Sequence, residues 1–300
     1  MSTAKVSNTG KIELMIIGAQ KAGTTSLNHY LGQHPDIQTH QQKEFGYFSD
    51  DKEYAKDFTS IQKKYFKNAA PEKILIAKNT LLYYKEKGLE RLKKHNPEAK
   101  IEIILRHPVD RTYSAYLMEL NNGSINTAFA DIAELLDDSP NHLNDWRYTL
   151  LIGMSRYVDH LKNVYKYFPK EQVSIVLYDD FSKDPVNICR SIFERLHVDP
   201  SFVPNTSIKH NETKMVPSFR YARIIKRLLR NDNSIKRLAR TFIPDHSAHT
   251  VGEMLRRVNR KESNHPEMNI ETRNVFLKYF EPLNEQLSEL TKLDLSSWNK

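Results

Sequence analysis

The sequence predicts an α/β fold of three layers, in which a parallel sheet carries helices on both faces. Two observations predict it. Apolar runs of strand length alternate along the chain with segments of helical spacing. The first apolar run ends in a glycine and leads, through a loop of small and hydroxyl residues, into the first helix, as in a P-loop-like phosphate-binding loop. With 300 residues, 39% of them hydrophobic, the chain can bury a sizeable core.

Each element is predicted from its pattern and its end signals. The predicted strands are residues 12–18, 73–79, 100–108 and 173–180. The predicted helices are residues 24–35, 89–97, 110–120, 154–168 and 184–198, and Asp110 is expected to cap the third of them. Residues 121–141 are predicted to lie outside the alternating strands and helices of the sheet. No repeat or linker is evident, so residues 12–300 are expected to form a single domain after a polar, disordered leader of residues 1–11.

Composition limits the class of protein. The lone Cys189 cannot form an internal disulfide, and no signal peptide or apolar run of about 20 residues is present, which favours a cytoplasmic protein without integral membrane contact. The net charge of +8 is concentrated in residues 220–261, which form either a solvated helix face or an electropositive mouth for an anionic ligand. The sparse aromatic residues there disfavour nucleic acid. The oligomeric state is not predicted.

The stretch "IIGAQKAGTTSLNHYL" (16–31) carries the first chemical motif. A loop between a strand and a helix offers backbone amides to an anion, and Gly18 and Gly23 allow close approach. Lys21 stands inside the loop, whereas in a nucleoside triphosphatase the lysine follows the second glycine. No acidic magnesium ligand is apparent downstream, so we expect side chains rather than a metal to balance the phosphate charge. The alternative is a plain strand–turn–helix connection.

Two further motifs end or follow predicted strands. In "ILRHPVDRTYSAY" (104–116), Arg106 ends a strand and Ser114 lies in the next helix, so both could bind one phosphate, although such an arginine is often a surface ion-pair partner. In "QQKEFGYFS" (41–49), Lys43 and Glu44 precede aromatics that are expected to anchor the segment in the core. Taken alone, this charged pair reads as surface residues.

In their order and spacing, the three motifs together resemble the sulfotransferases that use 3′-phosphoadenosine-5′-phosphosulfate (PAPS). The chain looks most like the heparan sulfate 3-O- and N-sulfotransferases and their bacterial relatives. The resemblance runs from about Ile12 to Trp298 and includes residues 152–176, 210–214 and 265–287.

The resemblance implies roles for individual residues. The 5′-phosphosulfate would be held by the loop residues Lys21, Ala22, Gly23, Thr24, Thr25 and Ser26. Arg106 and Ser114 would hold the 3′-phosphate, and 3′-phosphoadenosine-5′-phosphate (PAP) would be the product. Lys21 would stabilise the charge that develops on the bridging oxygen, and Glu44 would be the general base.

The chain also departs from the family pattern. Lys43 and Lys78 would flank the acceptor, but the segment "AKNTLLYY" lacks the family's proline after Lys78. Gly46 stands where the family often has histidine, so another group must orient Glu44. Arg260 and Lys261 lie where the family has a lysine–glycine–arginine loop over the nucleotide, and are expected to be donor ligands.

The sequence leaves the acceptor open. The candidates are a hydroxyl of a saccharide, a glycolipid or a small natural product. Two other functions compete with sulfuryl transfer: an atypical P-loop kinase of small molecules, and a non-catalytic protein that binds nucleotides or polyanions.

Overall fold

The computed structural model describes residues 10–67, 70–137, 140–207 and 268–300. The predictions for Arg260 and Lys261, for the basic segment 220–261 and for most of the leader fall outside these residues.

The described residues form five strands and ten α-helices. The strands are β1 (Ile12–Gly18), β2 (Ile37–Thr39), β3 (Ile74–Lys78), β4 (Lys100–Leu105) and β5 (Val173–Leu177). The helices are α1 (Thr24–Leu31), α2 (Asp51–Tyr54), α3 (Phe58–Tyr65), α4 (Glu86–His95), α5 (Pro108–Asn121), α6 (Pro140–Leu143), α7 (Tyr157–Tyr167), α8 (Tyr178–Lys183), α9 (Pro185–Leu196) and α10 (Ile270–Thr291). Short 3-10 or π turns cover residues 82–84, 130–135, 148–155, 170–172 and 296–299.

The strands form one parallel sheet in the order β2-β3-β1-β4-β5. In the three central strands, β3, β1 and β4, nearly every residue is buried, whichever way its side chain points. Successive side chains of a strand point to opposite faces of the sheet. A strand with nearly every residue buried must therefore be covered by other elements on both faces. The predicted α/β fold, a parallel sheet layered between helices, is confirmed.

The predicted element boundaries were partly wrong. Asp110 does not cap α5, because this helix begins two residues earlier at Pro108, where the fixed φ of proline suits the first helical turn. The strand predicted for 173–180 ends at Leu177, and α8 begins immediately at Tyr178. Strand β2 was missed, because its three residues are too few to show a periodic pattern.

The chain divides into two compact units. The first comprises Met1–Arg111, Gly153–Asn211 and Phe280–Lys300, and it contains the whole sheet. The second comprises Thr112–Ile152 and Glu212–Tyr279. In its described part, Phe129 stacks on Phe276 with ring centroids 4.7 Å apart. The expectation of a single domain stays a prediction.

None of the helices among the described residues has both the length and the apolar character that crossing a lipid bilayer requires.

Candidate functional site

The loop between β1 and α1 has the backbone of an anion cradle. Lys21 and Gly23 both adopt left-handed φ values, 72° and 85°, which turn the chain sharply into the helix. A Cβ atom on Gly23 would lie 3.1 Å from the ring of Phe181, so glycine suits both the backbone angle and the space. No side chain of the described structure caps the start of α1. The amides of the first turn of a helix point toward its N-terminus. An anion bound at the start of α1 would be a favourable partner for them.

Two residues of the loop, Ala22 and Ser26, make hydrogen bonds within the protein that the sequence did not indicate. The amide of Ala22 donates to the Ala19 carbonyl oxygen at 3.2 Å and so closes the turn. Ser26 is buried and hydrogen-bonds to the side chain of Tyr30. Both contacts help to fix the shape of the loop.

Lys21 lies in an electropositive environment. Burial, with the nearby charges of Arg106, Lys43 and Arg111, lowers the pKa of Lys21 to about 8. Three positively charged side chains thus act on the Lys21 ammonium group. An anion bound among these four side chains would stabilise the charged lysine.

Arg106 is held against the same loop. Its Nη1 donates to the Lys21 carbonyl oxygen at 3.2 Å, and its guanidinium lies over the ring of Tyr178, 5.0 Å from the centroid. The hydroxyl of Tyr157 donates to the Arg106 carbonyl oxygen at 2.8 Å. The structure thus brings together Lys21 and Arg106, which the sequence placed after two different strands. The half-buried Ser114 lies on α5, in the second unit.

Glu44 is fixed by both of its carboxylate oxygens. Its Oε1 accepts a hydrogen bond from Lys78 Nζ at 2.8 Å, and its Oε2 accepts one from the Thr80 amide at 3.0 Å. Lys78 Nζ also donates to the Lys43 carbonyl oxygen at 2.8 Å. Burial lowers the pKa of Lys78, while the Glu44 carboxylate opposes that shift. Lys43, Glu44 and Lys78 therefore lie together.

Aromatic packing anchors this segment, as predicted. The ring of Phe45 is fully buried and meets the ring of Tyr65 at 4.8 Å between centroids. A Cβ atom on Gly46 would lie only 2.9 Å from the Tyr65 hydroxyl, which accepts a hydrogen bond from the Gly46 amide. The tyrosine thus occupies the space that a side chain at position 46 would need.

Four residues around the site were not among the sequence candidates. Thr80 fixes Glu44 through its amide, and only its nearness to Lys78 in sequence hinted at this. Arg111 is fully buried, and its Nε donates to Ser155 Oγ at 2.6 Å. Its sequence signal was its position three residues before Ser114, in the R-x-x-S part of the motif. No sequence motif pointed to Tyr178, whose ring lies under the Arg106 guanidinium.

His40 is the fourth. Its Nε2 accepts the Lys78 amide at 3.1 Å. Burial and the Lys78 charge lower the pKa of His40 to about 4. The imidazole is therefore neutral near pH 7 and holds the end of β3 in place.

The fold and the cation-lined loop define an α/β protein of the phosphate-binding-loop class. The chain belongs to the sulfotransferase family: the family model described as "Sulfotransferase domain" matches residues 11–289.

The curated relatives include enzymes of the heparan sulfate branch. The chain is 31% identical over 186 residues to the mouse heparan sulfate glucosamine 3-O-sulfotransferase 5, covering 62% of this chain and 53% of the mouse protein. It is 24% identical over 221 residues to the Drosophila melanogaster bifunctional heparan sulfate N-deacetylase/N-sulfotransferase, covering 67% of this chain and 21% of the fly protein. The chain thus spans about half the length of the first relative, and less of the second.

A solved structure shares the fold. The sulfotransferase from Alicyclobacillus acidocaldarius superposes with a TM-score of 0.66 over 96% of this chain and 98% of that chain, at 22% identity. The predicted relationship to sulfotransferases of the heparan sulfate branch is confirmed.

Proposed function

We propose that this sulfotransferase moves the sulfuryl group of PAPS to a hydroxyl group of a saccharide acceptor, with Glu44 as general base. The observation that carries the proposal is geometric: Arg106 Nη1 donates to the Lys21 carbonyl oxygen at 3.2 Å, which brings the two anion-binding motifs together. The lowered pKa of Lys21, caused by burial and by the cations of Arg106, Lys43 and Arg111, supports it. Cations that disfavour one another in the protein alone suit a multiply charged anion. PAPS carries such charge at both ends of its nucleotide.

The donor is held at two points in this proposal. Residues 21–26 bind the 5′-phosphosulfate through the first amides of α1 and the side chains of Lys21, Thr24 and Thr25. Arg106 and Ser114 bind the 3′-phosphate, for which the planar guanidinium offers paired donors. Arg260 and Lys261 are proposed as further donor ligands, although they lie outside the described residues.

The chemistry is an in-line displacement at sulfur. The acceptor oxygen forms a bond to sulfur while the bond between sulfur and the bridging phosphate oxygen breaks, and PAP leaves. The acceptor proton passes to Glu44. Its Oε1 accepts hydrogen bonds from Lys78 Nζ and from the Thr80 hydroxyl, whereas its Oε2 accepts one from the Thr80 amide and keeps a further lone pair for the substrate. Lys21 stabilises the negative charge that grows on the leaving oxygen, an interaction stronger in the transition state than in the ground state.

Acceptor class follows from the relatives. The names of the mouse and fly relatives both contain heparan sulfate, which favours a glycan over a glycolipid or a small natural product. A carboxylate base suits deprotonation of a hydroxyl group. We expect no metal requirement, because side chains supply the positive charge around the loop.

One assay separates this proposal from its rivals. The protein is incubated with PAPS and a pool of oligosaccharides, with and without EDTA, and PAP release and a sulfuryl mass increment on the acceptor are measured together. Sulfuryl transfer predicts both signals, unchanged by EDTA. A P-loop kinase would instead phosphorylate acceptors with ATP and lose activity with EDTA, and a non-catalytic binder would bind PAP and yield no product.

A further inference from the structure

Asn79 is a buried residue directly beyond the end of β3, between two residues that contact the proposed base. It is 2% exposed. It follows Lys78 and precedes Thr80, both of which donate hydrogen bonds to the Glu44 carboxylate. The hydrogen bonds of the Asn79 side chain lead to the chain neighbours of these contacting residues.

The carboxamide nitrogen of Asn79 is bonded to the segment that carries Glu44. Its Nδ2 donates to the Phe45 carbonyl oxygen at 2.9 Å and to Ser49 Oγ at 2.9 Å. A carboxamide nitrogen has two protons, so both are used. The amide of Phe45 donates to the Lys78 carbonyl oxygen at 2.8 Å. The residue after Glu44 is therefore fixed through both of its backbone groups to residues 78 and 79.

The carboxamide oxygen fixes the other partner of the base. Oδ1 of Asn79 accepts the Leu81 amide at 3.0 Å, which forms an Asx turn around Thr80. The backbone of Asn79 is held as well, since its amide donates to the Ile16 carbonyl oxygen of β1 at 3.0 Å. Inside this turn, the Thr80 amide donates to Glu44 Oε2 at 3.0 Å. Asn79 thus determines where that amide points.

The three bonds require a carboxamide. A serine or threonine at position 79 would offer one proton where two are used, and an alanine would offer none. Without these bonds, the segment that carries Glu44 and the turn that carries Thr80 could shift relative to each other. A displacement of about 1 Å at a reacting group can lower a rate by about 10²-fold.

Asn96 provides a comparison within the same chain. It is 5% exposed, its Nδ2 donates to the Ile12 carbonyl oxygen at 3.0 Å, and its Oδ1 accepts the Glu98 amide at 3.1 Å. Ile12 begins β1, so Asn96 lies at the amino edge of the parallel sheet, whereas Asn79 lies at the carboxyl edge. The two asparagines are similarly buried and bonded, but Asn79 is the one that adjoins the partners of Glu44.

We infer that Asn79 is a positioning residue for the reaction, which sets the Glu44 carboxylate against the Thr80 amide and touches neither donor nor acceptor. The inference rests on the proposed function and adds a residue to it. Asn79 should therefore affect turnover through Glu44 and leave donor binding unchanged.

Steady-state kinetics of the full chain with PAPS and the oligosaccharide pool test this inference, at a temperature well below the unfolding of every variant. We expect Asn79→Ala to lower kcat by about 10- to 100-fold, while the KM for PAPS and the affinity for PAP stay within about twofold of the wild type. The matched control is Asn96→Ala. It should lose a similar amount of thermal stability and keep the wild-type kcat, which separates positioning from a general loss of packing.

A double-mutant cycle tests whether Asn79 acts through the base. In the Glu44→Gln background the proton acceptor is already lost, so Asn79→Ala should lower the residual turnover by less than about twofold. A residue that acts independently would lower it by the same factor in both backgrounds. Ser49→Ala removes one acceptor of the Asn79 Nδ2 and is the milder variant, to be used if Asn79→Ala does not fold. It should lower kcat by about 2- to 5-fold.

Several results would overturn the inference. These are wild-type kcat in folded Asn79→Ala, equal effects of Asn79→Ala in both backgrounds, an equal loss of kcat in Asn96→Ala, or wild-type kcat in Ser49→Ala. If the wild-type protein releases PAP and sulfates the pool while one of these results appears, the assignment of Asn79 alone is wrong. If the wild-type protein does neither, the proposed function fails, and the inference fails with it.

Discussion

Lys78 Nζ lies 2.8 Å from Glu44 Oε1, and the two side chains differ sharply in exposure, 3% for the lysine and 30% for the glutamate. The buried lysine thus supports a carboxylate that still faces solvent on one side. With the Thr80 amide on the other oxygen, the pair orients Glu44 without the histidine that the family often places two residues further on. Glu44 is therefore both fixed and accessible, as a general base must be.

Replacing Glu44 should separate binding from turnover. We expect Glu44→Gln to lower kcat by about 10²- to 10⁴-fold, the usual contribution of a positioned base, and to leave PAP affinity within about twofold of the wild type. The control is Glu285→Gln, an exposed carboxylate on α10. Near-normal turnover of Glu44→Gln would show that another group accepts the proton.

The same substitution should destabilise the fold in a pH-dependent way. Without Glu44, the buried Lys78 loses its counter-charge, and we expect a loss of about 1–3 kcal/mol in the free energy of unfolding at pH 7. The pKa of Lys78, already lowered by burial, should fall further. The unfolded chain then holds this proton to higher pH than the folded protein does, so the deficit should shrink as pH rises.

Urea denaturation of both proteins at pH 7 and pH 9.5 checks this expectation. The double variant Glu44→Gln/Lys78→Met removes the buried charge and should recover part of the loss at pH 7. A deficit that is independent of pH, with no recovery in the double variant, would contradict the account.

Nucleotide binding should be linked to a proton on Lys21. Burial and neighbouring cations lower its pKa to about 8 in the free protein, and bound phosphates favour the charged form. Binding of PAP should therefore take up about 0.5 proton at pH 8 and about 0.1 at pH 7, and the affinity should fall as pH rises above 8. Titration calorimetry in buffers of different ionisation enthalpy measures the uptake. Lys21→Arg keeps the charge and should abolish the uptake at pH 8; unchanged uptake would assign the proton to another group.

Arg106 should determine how well the protein distinguishes PAP from AMP, which lacks the 3′-phosphate. We expect Arg106→Ala to weaken PAP binding by about 10- to 100-fold, the cost of losing a charge-assisted pair of hydrogen bonds. AMP binding should weaken far less. Arg106→Lys should recover only part of the difference, since it lacks the planar fork. Fluorescence competition provides both affinities. Equal losses for PAP and AMP would place Arg106 at the 5′ end or in a purely structural role.

The sheet was predictable because strands β1, β3, β4 and β5 are apolar runs that end in clear signals. At Gly18 the run stops at a glycine, and after Leu105 a proline follows within three residues. The neighbourhood of Lys21 and Arg106 followed from the rule that parallel strands present their carboxyl ends at one edge of the sheet. Strand β2 was not predicted, because its three residues are too few to show an alternation of apolar and polar side chains.

The partners of Glu44 were less predictable. Lys78 and Thr80 reach it across some 35 residues of sequence, and only the pairing of strands brings them together. The role of Gly46 was also hidden, because it depends on the Tyr65 hydroxyl, which arrives from α3. Contacts of this kind depend on tertiary packing, which local patterns do not encode.

A structure of the full chain with PAP bound tests the central claim most directly. The account predicts the 5′-phosphate within hydrogen-bonding distance of the Lys21 side chain and the first amides of α1, and the 3′-phosphate on the Arg106 guanidinium. It also predicts the open side of Glu44 facing the 5′ end, where the sulfuryl group would stand. A nucleotide with either phosphate bound elsewhere, or with its 5′ end turned away from Glu44, would contradict it.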